Sequence, residues 1–428
     1  ECGVELEPWD PEDLSQSAWA RGSHVLVDAL FGVGLSRDIA EGSDYARAVE
    51  LMNQCAAPVV AADIPSGVEA DTGRVLGRAV LADKTITFTL GKVGQFVGDG
   101  ALCSGEVTVR DIGIPADLVR SAACPVQTVE ADFARAALPR RKTDGHKGDF
   151  GKLLVLGGSV GYTGAPYLAA GAAVRSGCGL VFLGVPESIW QVEASRCVSA
   201  MPFPLADRHG ALSYKALQVI QKKLEPCHVL ALGPGLGKGE QVTRLVLELL
   251  AETEQPVVLD ADGINALAGH MDVLDARRGR ITILTPHDGE FARLGGDLAG
   301  GDRTRAARDF AARHGCVLVL KGHRTVTAAP EGNVLVNTTG NSGLAKGGKN
   351  LAGNTGAEGH FPTHCRHHGD LVMDRQAVRL HFLLNLPQDG VQAGGNGLGG
   401  HHHGHIVNAV GHIVHGDVMP LQNRQHLA

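Results

Sequence analysis

The chain of 428 residues carries 39 Lys and Arg against 46 Asp and Glu, and the net charge of -7 leaves no basic excess for a nucleic-acid footprint. Its length favours two or three separate cores, and no stretch reaches the roughly 18 uninterrupted apolar residues that a membrane helix requires. Nine cysteines without CxxC pairing read as reduced structural thiols of a cytoplasmic protein, with small-molecule chemistry as the default.

The opening Glu1, in place of Met, reads as an N-terminal truncation. The first block then shows short β-type runs at residues 24–31, 58–62 and 84–90, with a helical segment at 44–55 between the first two. Strand, helix, strand in that order predicts a parallel βαβ arrangement with buried strands. Val27-Asp28-Ala29-Leu30-Phe31-Gly32-Val33-Gly34-Leu35-Ser36-Arg37 ends the first strand on a carboxylate and runs into a glycine turn. Asp63-Ile64-Pro65-Ser66-Gly67 repeats the device on the next strand, with Asp71-Thr72-Gly73 just beyond. Two carboxylates at adjacent strand ends with a serine hydroxyl nearby allow a small cation and acid-base site, while turn formation accounts for the glycines equally well.

Together these motifs resemble the NAD(P)H-hydrate epimerase domain over residues 24–115. The resemblance implies that Asp28 and Ser66 help bind potassium, and that Gly32, Val33, Gly34, Leu35, Ser36, Arg37 and Asp38 approach the substrate phosphates. Asp63 would contact substrate and act as the catalytic acid-base group. The Asn- and Gly-rich loop that such domains carry upstream has no counterpart here, so a partial Rossmann-like α/β domain lacking its first half is expected, with doubtful epimerase activity of its own.

A polar, basic stretch at 136–148, containing Pro139-Arg140-Arg141-Lys142, precedes the second block. The domain boundary falls between about 115 and 145, which gives domains at 1–125 and 126–348 and a tail at 349–428. In the second block, residues 152–156, 180–185, 228–232, 256–260, 281–285 and 316–321 read as strands. Helical patterns fill the gaps at 165–176, 240–252 and 303–314. That alternation predicts a doubly wound sheet whose ligand crevice lies at the C-terminal strand ends.

The strand-end motifs follow in order. Gly157-Gly158-Ser159 leads through Tyr162-Thr163-Gly164-Ala165-Pro166 into a helix, where backbone N–H groups attract an anion. Gly233-Pro234-Gly235-Leu236-Gly237 repeats that geometry after another strand. Asp260 and Asp262 end a third strand, where they are placed to cap a helix, bind a cation or meet a hydroxyl. For His287, in Thr285-Pro286-His287-Asp288-Gly289-Glu290, a crevice-facing role and a structural one both stay open. Lys321-Gly322-His323-Arg324-Thr325 offers a cation and a hydroxyl suited to a nucleotide phosphate, against the plainer reading of a turn.

Taken in order from 146 to 348, HKGDFGKLLVLGG, YTGAP, LGPGLG, LDADGINAL, LTPHDGE, LKGHRT and NTTGNSGLAKGG resemble the ADP- or ATP-dependent NAD(P)H-hydrate dehydratases, of ribokinase-like fold. The resemblance implies that ADP or ATP, with Mg2+, phosphorylates the hydroxyl of hydrated NADH or NADPH, and that elimination restores the dihydronicotinamide with AMP and phosphate as products when ADP is the donor. Ala165, Gly235 and His287 would meet the hydrated nicotinamide nucleotide, and Lys321, Gly322, His323, Arg324 and Thr325 the adenine nucleotide. Self-association into a homo-oligomer is compatible with it. In the family the closing Gly-Gly pair continues into Ser-Gly-Asp, whose Asp is the base. Here Lys349-Asn350-Leu351 follow Gly347-Gly348, so impaired catalysis is expected, and the abrupt change reads as a shifted frame.

Residues 349–428 hold twelve of the chain's 20 histidines among Gly and Asn, with little apolar surface to offset ordering. His360, His364, His367 and His368 have helical spacing and His401-His402-His403 form a tract, yet out-of-frame composition explains them better than a metal site. Two alternatives remain open at this level. One is a ribokinase-like small-molecule kinase; the other is a non-catalytic nucleotide-binding protein.

Overall fold

A computed structural model describes residues 6–138 and 140–341. The glycine run from 342, the Lys349-Asn350-Leu351 replacement and the histidine tail lie outside the described residues. Among the described residues the seven cysteines are free, and burial pushes the Cys316 thiol up to about 12, as suits an inert core group. None of the helices described is long and apolar enough to cross a membrane.

The strands fall into two main sheets. Strands β1 (Leu26–Asp28), β2 (Val59–Ala62), β3 (Lys84–Phe88) and β4 (Glu106–Arg110) form a four-stranded, all-parallel sheet in chain order. The helix Asp44–Gln54 connects β1 to β2; Ser43 caps it by accepting the Ala46 N–H at 3.2 Å, and Ala46 and Val49 point inward to Val59 and Val80. This is the βαβ unit the sequence predicts.

The larger sheet uses β5 (Val126–Thr128), β6 (Lys152–Leu156), β7 (Leu180–Pro186) and β8 (Met201–Leu205). After a small hairpin of β9 (Asp207–Arg208) and β10 (Ala211–Leu212) it continues with β11 (Val229–Leu232), β12 (Val257–Leu259), β13 (Thr282–Leu284), β14 (Val317–Leu320), β15 (Val326–Ala328) and β16 (Val334–Val336). The order is β5-β16-β15-β14-β13-β12-β11-β6-β7-β8, with β15 antiparallel to both neighbours and the run from β14 to β8 parallel. The basic stretch at 136–148 therefore lies between β5 and β6 of one sheet, since β5 already pairs with β16.

Alternation along each strand sends side chains to two faces. Leu153, Val155, Val229, Ala231, Val258 and Ile283 pack with Ala169, Ala170 and Ile189 from the helices Gly164–Arg175 and Glu187–Arg196. Leu154, Leu156, Leu230, Leu232, Leu259 and Leu284 pack on the other face with the helices Leu217–Leu224, Glu240–Glu252 and Arg303–His314. This is a doubly wound α/β sheet. The Glu240–Glu252 helix shows why the pattern is decisive: Val242, Leu245, Val246, Leu249 and Leu250 are buried at i, i+3, i+4, i+7 and i+8, each worth roughly 1.5–3 kcal/mol of transfer free energy. Buried Arg277 then donates to the carbonyls of Leu250, Thr253 and Gln255 at the end of that helix and just beyond it.

Candidate functional site

Because β6, β11, β12, β13 and β14 run parallel and adjacent, their C-terminal tips form one row. Four gaps of about 4.8 Å span about 19 Å along that edge. The turns at these tips carry the polar motifs from Gly157 to Thr325, and each is tied to the next.

At one end the two glycine turns interlock. Gly158 N–H donates to the Pro234 carbonyl at 2.8 Å, and the Ser159 hydroxyl donates to the Gly235 carbonyl at 2.8 Å. Gly233 must be glycine, since its φ is +132° and a Cβ would stand 1.8 Å from the Asp260 carbonyl oxygen. A Cβ on Gly235 would meet Ala165 Cβ at 3.5 Å, so Ala165 and Gly235 lie together.

The middle of the row is a hydrogen-bonded chain. The Asp262 carboxylate accepts the Gly237 N–H at 3.0 Å and the Asn265 side-chain amide at 3.3 Å, and Asn265 in turn accepts Arg293 Nε at 2.9 Å. Arg293 ends the helix Asp288–Arg293, which His287 opens. His287 Nδ1 accepts the Gly289 and Glu290 N–H groups at 3.0 and 3.3 Å, while the Glu290 carboxylate accepts the His287 N–H at 2.9 Å, a reciprocal capping box. With Nδ1 taken by the cap and Nε2 3.5 Å from the buried Glu290 carboxylate, both ring nitrogens of His287 face its own helix, while about half of the side chain stays exposed.

Lys321 closes the row. It pairs with His287 in a parallel bridge, and its N–H donates to the Pro286 carbonyl at 2.8 Å. Its ammonium points inward, 2.9 Å from Asp260 Oδ1 and 3.7 Å from Glu290 Oε2, and Asp260 Oδ1 also accepts the Thr285 hydroxyl at 2.7 Å. Residues 321–325 form the turn between β14 and antiparallel β15, with His323 exposed, Arg324 at φ +59° and half-buried, and Thr325 half-buried. Arg324 Nη1 donates to the Thr338 carbonyl, and burial lowers its guanidinium from the usual range. Ala261, beside Asp260, has φ +50°, a left-handed conformation costly for a residue with a Cβ.

The first sheet holds a separate constellation at its own strand tips. Asp28, fully buried, accepts the Ser66 hydroxyl at 2.6 Å on Oδ1 and the Ser66 N–H at 2.7 Å on Oδ2, while Ser66 Oγ accepts the Phe31 N–H at 2.8 Å. Asp63 sits at φ +68°, and its Oδ1 accepts Lys92 Nζ, the Phe88 N–H at 3.0 Å and the Thr87 hydroxyl at 3.2 Å. Burial alone would raise the Asp63 carboxyl, but the Lys92 ammonium and the Phe88 N–H outweigh it and hold the group below the usual carboxylate range. Buried Gln95 pins the Asp63 carbonyl at 2.6 Å. In the loop from Gly32 to Asp38, Gly32, Val33, Gly34, Ser36, Arg37 and Asp38 are exposed and Leu35 is half-buried. No described atom lies within 4 Å of where a Cβ on Gly32 or Gly34 would stand, so packing does not demand those glycines.

Sequence reasoning missed Lys92, Arg293 and Arg303. Each reaches its partner across a long stretch of chain, and none sits in a glycine-rich strand end. Lys92 and Arg303 are half-buried and Arg293 is exposed, and burial of a charged residue is not displayed by the sequence.

Residues 153–357 match the family model described as NAD(P)H-hydrate dehydratase, and residues 1–94 match that of the YjeF-related protein N-terminus. Among curated relatives, the chain is 43% identical over 328 residues to the bifunctional NAD(P)H-hydrate repair enzyme Nnr of Moorella thermoacetica, covering 76% of this chain and 61% of that one. It is 39% identical over 351 residues to the Nnr enzyme of Salinibacter ruber, covering 80% and 64%. The chain thus spans a little over three fifths of the length of these relatives. A solved ADP/ATP-dependent NAD(P)H-hydrate dehydratase from Bacillus subtilis, co-crystallized with ATP/Mg2+, is 33% identical over 51% of this chain and 74% of that one, with a TM-score of 0.41.

Proposed function

Since the chain belongs to the family of bifunctional NAD(P)H-hydrate repair enzymes, we propose that its larger sheet was built for nucleotide-dependent dehydration of hydrated NADH or NADPH, and its smaller sheet for epimerising the hydrate. We take residues 1–125 and 126–348 as the two corresponding domains. One observation carries the dehydratase reading: an unbroken line of contacts from Ala165 and Gly235 through Asp262, Asn265 and Arg293 to His287 and Lys321. A single ligand row needs such a rigid edge, because two reactants must be held at fixed separation for transfer between them.

In this reading Ala165, Gly235 and the half-exposed ring of His287 meet the hydrated nicotinamide nucleotide, and the backbone and hydroxyl of Lys321 to Thr325 meet ADP or ATP, with Mg2+ arriving on the nucleotide phosphates. The terminal phosphoryl group passes to the substrate hydroxyl, whose proton must leave to a base. Phosphate then departs in place of hydroxide, the neighbouring ring carbon gives up a proton to solvent or a base, and the ring double bond re-forms. Because Lys349-Asn350-Leu351 replace the base-bearing Ser-Gly-Asp, we infer that this chain binds its ligands better than it turns them over.

In the smaller sheet Asp63, held ionised by Lys92, serves as acid-base group, and the loop from Gly32 to Asp38 receives phosphate. Asp28 and Ser66 offer hard oxygen donors of the kind an alkali cation takes, and the Phe31 carbonyl lies 3.4 Å from Ser66 Oγ, so the set fits part of a potassium shell. Potassium bound there would supply a fixed positive charge near the substrate phosphates.

The test is to incubate the chain with hydrated NADH and ADP while following dihydronicotinamide absorbance and free phosphate together. Tight ligand binding with slow release of both is expected. Retention of a phosphorylated product without absorbance recovery would overturn the dehydratase reading in favour of a small-molecule kinase.

A further inference from the structure

Arg303 belongs to no motif of the site, yet its guanidinium lies against the turn assigned to the nucleotide. Asp302 caps the helix Arg303–His314 by accepting the Arg305 N–H at 2.8 Å, which fixes Arg303 in the first turn. From there its Nη2 donates to the Lys321 carbonyl at 2.6 Å and stands 2.6 Å from the Asp288 carboxylate. The guanidinium also fills the space over Gly322, where a Cβ would lie 2.7 Å from Nη2 and 3.2 Å from Cζ. Gly322 is thus small because an arginine packs on it, a different reason from ligand approach.

The side chain is only 14% exposed, and its Nε is buried with no hydrogen-bond partner among the described residues. A mostly desolvated cation with an unmatched donor is costly. A five-residue hairpin loop closes without such help. A turn that must present its amides to a polyanion in fixed geometry gives the arginine a use, because pre-set donors stabilise charge without reorganising.

We propose that Arg303 is a positioning residue for the nucleotide turn, and the proposal rests on the nucleotide reading of residues 321–325 above. It fixes the peptide at Lys321 and Gly322, and through Asp288 it ties that peptide to the helix His287 opens. The nucleotide end and the substrate end of the row are thereby held in register. Lys321 is gripped twice, by Arg303 at its carbonyl and by Asp260 at its ammonium.

The test compares Arg303→Leu, Arg303→Lys and Gly322→Ala in the full chain by titration with a fluorescent N-methylanthraniloyl-ADP and, separately, with NADPH as a probe of the Gly235 end. Loss of the charge-assisted fork predicts about tenfold weaker ADP binding in Arg303→Leu, a smaller loss in Arg303→Lys, and unchanged NADPH affinity. Gly322→Ala displaces the guanidinium and weakens ADP in the same direction. Equal loss of both ligands, or full ADP affinity in a folded Arg303→Leu, overturns the proposal, and if that variant does not fold, Arg303→Lys and Gly322→Ala decide by the same split. If the parent chain binds no ADP, the nucleotide reading falls by itself. Amide exchange over residues 321–325 then still decides the clamp: faster exchange in Arg303→Leu supports it, and unchanged exchange overturns it.

Discussion

Each sheet sets a carboxylate at a strand tip against a lysine from the loop after another strand, but the two pairs are built differently. Asp63 and Lys92 are 18% and 19% exposed, and one carboxylate oxygen collects the ammonium, a backbone N–H and a hydroxyl. Asp260 and Lys321 are 5% and 16% exposed, and the single ammonium is shared with a second buried carboxylate, Glu290. The first arrangement leaves a carboxylate that is ionised and near the surface, as the role proposed for it needs. The second shares one ammonium between two carboxylates and draws the lysine inward, away from any phosphate over the turn. A lysine after a strand is therefore read correctly only once the carboxylates around it are counted.

The largest expected effect concerns the base. Inserting Ser-Gly-Asp and a helix-forming continuation after Gly348 should raise the dehydratase rate by about 10²–10⁴-fold. A folded graft with no gain in phosphate release would remove this explanation of impaired turnover.

Next is the inner pair. Lys321→Met leaves Asp260 and Glu290 buried without their cation and should cost about 3 kcal/mol in urea unfolding. Adding Asp260→Asn should return part of that loss, and strict additivity of the two changes would show that the pair is not coupled.

Lys92→Met should cost less, about 1 kcal/mol at neutral pH, because solvent screens a pair with this exposure. The pH dependence has a definite sign. The folded Asp63 carboxyl lies below its unfolded value, so the stabilisation is complete above about pH 4 and is lost as pH falls through the folded value. Parent and variant stabilities should converge in acid, and a gap that widened there would break the comparison.

Glu193 supplies the unpaired control. It is fully buried, neither carboxylate oxygen has a hydrogen-bond partner among the described residues, and burial raises it, with Arg196 opposing. An acid raised on folding binds its proton more tightly in the folded state, so stability falls as pH rises from the unfolded value through the folded one. Glu193→Gln should gain on the order of 1 kcal/mol at pH 8, with the gain fading toward pH 4. Thermal unfolding at the two pH values checks it.

Much of the fold was legible beforehand. The six runs read as strands in the second block became β6, β7, β11, β12, β13 and β14, because fully buried parallel strands are continuous apolar runs. The strands missed were β4, the two-residue β9 and β10, the three-residue β5, β15 and β16, and β8, whose Met-Pro-Phe-Pro-Leu carries two prolines tolerated at a sheet edge. The glycine turns at Gly157 and Gly233 were legible for a related reason: backbone crosses backbone there, and only glycine fits.

The sequence by itself determined which residues end strands, which turns need glycine and which family the chain joins, because these are local properties of periodicity and backbone sterics. It did not determine the partners of the charged groups. Lys321 meets Asp260 from 61 residues away and Lys92 meets Asp63 from 29, while Arg303 finds Gly322 only because its helix packs beside β14. Electrostatic pairing depends on distance in space and on exclusion of water, and both are set only when the strands lie side by side.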